Sequence, residues 1–445
     1  MKTIDQLTPK EFLLTLIHQQ VQPALGCTEI GIVSLAAAKA SSLLPGKFKS
    51  AVVYTSPYVF RNDSRVGVPR LGRCGMNTIA AAGIILKNPL KKLSCLDDLT
   101  EPTIKQAKEL GATKAIDVQV DFNSHPVYVR CVAKDDKNNE ADVIIKYSHD
   151  NIIQAKLNGK ETLDPSEVYG EAATGYDFDE KVDQLSICHV HDICKTLTLK
   201  ELSFLRGGIK MNQIVQEEGY AHPDETAITK VWQGILKGNK TESCYTKDHW
   251  TTKILADVCA AVDARMYGCP LPVMTSSSSG DHGLTVSIPQ DVYAKAFNVD
   301  EIKKLQALAF AHFITWKIKS KVGHLCGMCG SALAAGCGTI AGIAYQKDWS
   351  WDRINDLLNM HLVSQGGILC DGAKPSCSFK ILASLACGFL CLTIAEGGGK
   401  ICHRDGLVHQ SVEETINNLG KYSKTTQSSI ILNVVDLLNS MSKLK

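Results

Sequence analysis

The hydrophobic pattern of this chain changes period once, and that change limits what it can fold into. Ala115 to Asp121, Val127 to Ala133 and Ala141 to Tyr147 alternate apolar and polar residues, the two-residue period of strands that bury one face. Asp135-Asp-Lys-Asn-Asn139 is a polar turn between two of them, and Ile152 to Leu157 adds a fourth strand candidate. From about Leu197 onward helical periods dominate, with Gly, Ala and Ser placed densely between the larger apolar residues. Strands first and helices after predict an α+β fold. The expected arrangement is an N-terminal α+β domain over 1–180 with an antiparallel sheet, packed on a predominantly α-helical domain over 181–445. Asp164 to Asp183, charged and turn-rich, is the candidate linker.

The front part also carries helix signals. Thr8-Pro-Lys-Glu11 has a capping residue, a proline suited to the first turn and a glutamate that completes a capping box. Phe12, Leu13, Leu16 and Ile17 follow as a helical apolar stripe. Pro23-Ala-Leu-Gly-Cys27 breaks that helix, and a second, alanine-rich one is expected from Thr28 to about Leu43. Ser50 to Val59 reads as a strand, Gly67 to Gly72 as a loop and Met76 to Leu86 as a further small-residue helix.

At 445 residues, 44% hydrophobic and 21% charged, the chain can bury ample core. Lys plus Arg number 48 against 46 Asp plus Glu, a net charge of +2. That balance argues against nucleic-acid or anionic-membrane partners. Met1 to Lys10 is polar and lacks the pattern of a leader, and the uncharged run Ile381 to Ala395 is too short to span a bilayer and reads as a buried helix. Seventeen cysteines, an odd number in a long chain, are expected to be reduced thiols in the cytoplasm. A homodimer is the default expectation for a cytosolic chain of this kind.

Eight of the seventeen lie between Cys326 and Cys402. Cys326 and Cys329 form C-x-x-C, Cys337 follows, and Cys370 and Cys377 bracket Asp-Gly-Ala-Lys-Pro-Ser. Thiolates grouped among glycines can hold a four-cysteine zinc ion or an iron–sulfur cluster, because glycine lets backbone approach an inorganic centre. Plain core thiols are the bland alternative, and Cys95, Cys131, Cys259, Cys387 and Cys391 are assigned to it. A thioredoxin-like redox pair at Cys326 and Cys329 lacks the strand–helix–strand context it needs. Asp371 and Lys374 are either groups supporting a bound metal or an ordinary surface turn.

Cys27 precedes a predicted helix, whose N–H groups and dipole would favour its thiolate. It is a candidate nucleophile or general base, or else a buried turn thiol. Thr275-Ser-Ser-Ser-Ser-Gly-Asp-His-Gly283 offers hydroxyls and loop N–H groups to a carboxylate or phosphate. His282 there is a candidate proton carrier or substrate contact; the alternative is a flexible polar loop. Arg65 to Arg73 is a weaker anion-loop candidate.

Gly26-Cys-Thr-Glu29, Ser278-Ser-Gly-Asp-His-Gly283, Cys370-Asp-Gly-Ala-Lys-Pro-Ser-Cys377 and Val412-Glu-Glu-Thr-Ile-Asn-Asn-Leu-Gly420 occur in this order. In these segments the chain resembles the L-cysteine desulfidases, relatives of the catalytic alpha part of the iron–sulfur L-serine dehydratases. The resemblance runs from about Leu7 to Leu438. It implies an oxygen-labile [4Fe-4S] cluster on three cysteines, at the matching positions Cys329, Cys370 and Cys377, with Cys326 as the rival to Cys329. It implies Cys27 as the catalytic base and Ser277, Ser278, Ser279 and His282 as substrate contacts. The implied reaction is β-elimination from L-cysteine to pyruvate, ammonia and sulfide without pyridoxal phosphate, or the same reaction on L-serine. A zinc-stabilised, non-catalytic protein is the reading from another class. The chain departs from the family pattern at Ile30, usually proline, at Asp281, often asparagine, and at Pro69-Arg-Leu-Gly-Arg73, usually a Gly-Thr-Gly loop.

Overall fold

The computed structural model describes residues 6–26, 28–62, 66–147, 149–163, 178–222, 227–238 and 245–442. Its front half runs α1 (Pro9–Gln20), β1 (Pro23–Ala24), α2 (Thr28–Leu43), β2 (Phe48–Thr55), α3 (Pro57–Phe60), β3 (Gly67–Val68), β4 (Gly72–Arg73), α4 (Met76–Leu86) and α5 (Glu101–Gly111). Strands β5 (Ile116–Val120), β6 (Tyr128–Asp135), β7 (Glu140–Lys146), β8 (Ile152–Leu157) and β9 (Lys160–Glu161) complete it. The α1 start is the expected capping box: Thr8 Oγ1 accepts from the Glu11 N–H, and the Glu11 carboxylate accepts from the Thr8 N–H at 2.8 Å.

Six strands form one sheet in the order β5-β2-β6-β7-β8-β9. The α+β class is as expected, but the sheet is mixed rather than antiparallel, because β2 and β5 pair in parallel from Ala51↔Ile116 to Thr55↔Val120. The cause is the connection between them. The chain leaves β2, passes through α3, α4 and α5, and returns on the same heading, which only a long crossover allows. Alternation along β6 and β7 buries one face, against which α2 lies. The expected strand to Val59 stops at Thr55, where Ser56 caps α3 by accepting from the Val59 N–H.

The helical half contains α6 (Asp179–Gln184), α7 (Ile187–Lys195), α8 (Leu199–Ala221), α9 (Ala227–Leu236), α10 (Trp250–Met266), the short strand β10 (Val273–Met274), α11 (Gly280–Phe297) and α12 (Glu301–Val322). After them come α13 (Gly336–Gln346), α14 (Trp351–Gln365), α15 (Cys377–Glu396) and α16 (Val412–Ser442). The candidate linker lies mostly outside the described residues, and its last residues already form α6.

Helix α12 is the hub, packing against α7, α8, α11, α13 and α16. From Ala307 to Lys319 its residues are buried on all sides, as expected of a core helix, and burial of Phe310 and Phe313 is worth about 2–3 kcal/mol each. Buried Lys317 on it is satisfied by the carbonyls of Val182, Asp183 and Leu185 at 2.8, 3.1 and 3.0 Å, which pins α6. The small residues let helices touch through backbone: a Cβ on Gly219 of α8 would lie 1.9 Å from the Ala260 carbonyl oxygen of α10.

Helix α15 begins earlier than the uncharged run suggested and is half rather than fully buried, with Phe379 and Leu390 exposed. It is the one helix among the described residues long and apolar enough to cross a membrane. Its first residue, Cys377, belongs to the site described next.

Candidate active site

The two halves are laced together beside the serine loop. β1 pairs antiparallel with β10, Pro23 opposite Met274 and Ala24 opposite Val273. Thr275 extends the pairing, its N–H donating to the Gln22 carbonyl at 2.9 Å and its hydroxyl to the Gln20 carbonyl at 3.0 Å. Ser276 and Ser279 then exchange two backbone hydrogen bonds of 3.0 Å, closing a tight turn that feeds α11. Ser277 and Ser278 at its tip take left-handed φ values of 47° and 59°. This loop is ordered by bonds rather than flexible: Ser276 Oγ meets His312 Nδ1 at 2.8 Å, and Ser278 Oγ donates to Gln20 Oε1 at 2.6 Å.

The cysteine loops form the facing wall. Met328 and Leu369 make an isolated bridge, flanked by Cys329 N–H to the Ile368 carbonyl and Cys370 N–H to the Gly327 carbonyl, both 2.8 Å. The C-x-x-C and C-x6-C segments are thereby held side by side. A π-helical turn, Ser331–Ala335, follows Cys329 and leads into α13. Cys377 opens α15, and its thiol points back to the Gly372 carbonyl at 3.6 Å.

Between these walls lies a cavity of about 230 Å³. Ser277, Ser278, Ser279, His282, Cys329, Cys370 and Cys377, expected from separate motifs, all line it, as does Cys326. Cys27 lies outside the described residues. Its neighbours do not: Glu29 lines the cavity, and the Gly26 carbonyl accepts from Arg265 Nη2 at 2.9 Å. Arg265 also holds Asp281 through Nη1 at 2.7 Å, so one guanidinium ties the Cys27 segment to the serine loop.

The thiols differ in their surroundings. Burial, with Cys370 nearby, pushes the Cys329 thiol up to about 12. Burial, with Asp281 and Cys329 nearby, pushes Cys377 up to about 12. Burial also acts upward on Cys370, but Arg61, the Gly372 N–H, Lys380 and Lys374 together outweigh it and bring that thiol below its usual value. Asp371 pairs with both Lys374 and Lys380, so it organises the cationic flank of Cys370 rather than an idle surface turn. The Cys326 thiol donates to the Met328 carbonyl at 3.3 Å and accepts from Lys319 Nζ at 3.8 Å. Among the described residues, no three His, Cys, Asp or Glu side chains converge on a position for a single metal ion.

His282 is 6% exposed; burial and then Lys319 hold its pKa well below the ordinary value, so it is a neutral imidazole. Five buried polar atoms on residues lining this one cavity have no partner among the described residues: Arg61 Nε, His149 Nε2, Ser277 Oγ, His282 Nδ1 and Trp316 Nε1. Arg61, His149, Arg265, Lys319 and Trp316 were not anticipated. They are single residues within ordinary helix and loop sequence, and no spacing marks them. The Arg70 to Arg73 loop does not line the cavity. It stands behind the Cys27 segment, with Arg73 over the Tyr267 ring at 4.0 Å and Pro69 against Gly26.

Residues 90–434 match the family model described as "Serine dehydratase alpha chain". The chain belongs to the serine dehydratase alpha chain family. The match takes in the serine loop and all four cavity cysteines but begins after Cys27 and Arg61. Similar proteins extend further. A "UPF0597 protein" of Clostridioides difficile (strain 630) is 31% identical over 435 residues, covering 96% of this chain and 100% of the relative. One from Clostridium perfringens (strain SM101 / Type A) is 30% identical over 411 residues, 92% and 93% of the two chains. One from Desulfatibacillum aliphaticivorans is 31% identical over 411 residues, 91% and 92%. A lyase of the serine dehydratase kind is the class this membership gives.

Proposed function

We propose that the chain is a PLP-independent iron–sulfur lyase that β-eliminates L-cysteine to pyruvate, ammonia and sulfide. One observation carries the reading: orphaned buried polar atoms gather on the same small cavity as the cysteine loops. A buried polar atom without a partner costs about 1–3 kcal/mol. Several around one cavity suit a compact polar ligand that satisfies them, and an amino acid is such a ligand.

The thiols suit a [4Fe-4S] cluster better than zinc. A zinc ion draws four sulfurs to about 2.3 Å of one point, whereas a cubane spreads its thiolates over separate irons. Sulfurs that share a cavity without converging on a single ion fit the second. Cys329, Cys370 and Cys377 would hold the cluster. When bound, it supplies an open Lewis-acidic site for the substrate's β-substituent.

The chain's own residues do the rest. Ser277, whose hydroxyl has no partner among the described residues, offers a donor to the substrate, and Ser278 and Ser279 line the same wall at the N-terminus of α11. Neutral His282 offers a ring nitrogen that can accept or donate a hydrogen bond. Cys27 takes the α-proton, and the electron pair of that C–H bond forms the double bond as the β-substituent leaves with its own pair. The aminoacrylate released takes up water and yields pyruvate and ammonia. Such chemistry calls for a reducing compartment, and we place the chain in the cytoplasm.

L-serine is the second reading, favoured by the description of the matching family. Hydroxide is the poorer leaving group, so that reaction asks more of the site. Purification without oxygen followed by assay of pyruvate and sulfide from L-cysteine, L-serine and L-threonine tests both. A brown protein absorbing at about 400 nm and releasing sulfide from cysteine is the expected result. Colourless protein carrying one zinc per chain and no turnover would rule the reading out.

A further inference from the structure

Arg61 is the unexplained charge of this cavity. It is 5% exposed, and Nη1 donates to the Cys326 carbonyl at 2.8 Å while Nε has no partner among the described residues. The residue is held firmly. It follows α3 as its cap, its own carbonyl abuts Gly372, where a Cβ would approach to 2.0 Å, and the next residue's Asn62 Oδ1 accepts from the Ala373 N–H at 2.7 Å. This turn latches the front half onto both cysteine loops. A latch made of backbone contacts and one amide needs no buried guanidinium, and the effect of its charge on the Cys370 thiol leaves the Nε edge unused.

Arg61 lines the cavity together with Cys326, Cys370 and Glu29. It therefore shares that wall with the candidate cysteine ligands and with the first turn of α2, beside the space a substrate would fill. Water can satisfy a neutral donor, but a fully buried cation is costly unless an anion meets it. With Nη1 committed to Cys326, the edge left is the one bearing Nε. A guanidinium edge presents parallel N–H groups that match the two oxygens of a carboxylate.

We propose that Arg61 is the carboxylate anchor of the amino-acid substrate, docking it through its Nε edge, and so restricts the site to substrates with a free α-carboxylate. This rests on reading the cavity as an amino-acid site. A carboxylate has about four acceptor positions, so the neutral donors of the serine loop add to the guanidinium rather than replace it. The anchor is common to L-cysteine and L-serine and does not choose between them.

L-alanine keeps the α-carboxylate but has nothing to eliminate, and L-alaninamide lacks the charge. Titration calorimetry of both into anaerobically purified protein therefore reads the anchor apart from turnover. The wild type is expected to bind L-alanine roughly 10- to 100-fold tighter than the amide. Arg61→Gln, folded as judged by an unchanged circular dichroism spectrum, is expected to bind the two alike. Arg61→Lys, which keeps the charge without the fork, is expected to retain part of the preference, and it decides the matter if Arg61→Gln does not fold. A preference of wild-type size in either folded variant overturns the assignment, as does a wild type that binds the two alike or neither. The enzymatic reading fails separately: a wild type that prefers L-alanine but releases no pyruvate from cysteine or serine leaves Arg61 an anchor and removes the lyase.

Discussion

Single residues in this site are set by what surrounds them more than by their type. Cys329, Cys370 and Cys377 are chemically identical, yet burial raises the first and third while three cations and a backbone N–H bring the second down. Gly372 shows how tight the setting is. Its φ is 98°, a left-handed value that a Cβ strains, and that Cβ would strike the Arg61 carbonyl. Gly372→Ala is expected to lower stability by about 1–3 kcal/mol and to reduce the iron bound per chain, read by denaturant unfolding and metal analysis; unchanged iron content would refute the tight docking of this loop. On the proposed function, Cys27→Ser is expected to keep the visible absorption of the proposed cluster and lose turnover almost entirely, and normal turnover by that variant would remove Cys27 as the proposed base.

At the scale of elements, β10 and α11 are the scaffold of the serine loop, and Arg265 on α10 fastens it. Side chains of Arg265 and Asp281 are each only 11% exposed. Removing one member of a buried pair costs about 3–5 kcal/mol, chiefly because the other charge stays behind unpaired. Arg265→Met should therefore destabilise by that order, and adding Asp281→Asn should restore most of it in urea unfolding. A double variant no more stable than the single one would mean that the pair is not what Arg265 contributes. Turnover should stay low in both, since the bond to the Gly26 carbonyl is lost in each. The close crossing of α8 and α10 is a second element-scale device: Gly219→Ala has backbone 1.9 Å away and nowhere to go, so it is expected to lower the melting temperature sharply.

Across the whole molecule, buried histidines give folding a built-in pH dependence, with His312 and His361 adding to His282. Burial depresses His312 to about 3 and His361 to about 4, from an ordinary 6.5; for His361 a hydrogen bond to Ser384 acts weakly the other way. Both are neutral in the fold, and below pH 6.5 the unfolded chain binds protons that the folded chain refuses. Stability is thus full above about 6.5 and falls as pH drops toward 4, by about 1.4 kcal/mol per pH unit for each histidine. Urea unfolding at pH 7, 6 and 5 should show this slope, and the His361→Gln variant should show a shallower one. A flat profile would mean that these rings are solvated. The same burial logic organises the helical half, where the middle of α12 is covered on every side and even Lys317 is paired with three carbonyls.

Much of this protein was legible in its residue order. Local rules depend on neighbours in sequence, so α1 with its capping box, α2, α4, the four strand candidates and the helical second half could be read from periodicity and end signals. The serine and cysteine motifs could be read too, because their chemistry is concentrated in short segments. The parallel pairing of β2 with β5 could not, since it is fixed by where a crossover returns. Nor could Arg61, His149, Arg265, Lys319 and Trp316 be found. Each is unremarkable in its own segment and gains a role only when folding removes it from water and faces it with groups on other segments. Desolvation and long-range proximity belong to the tertiary structure alone, and they turned separate motifs into one cavity.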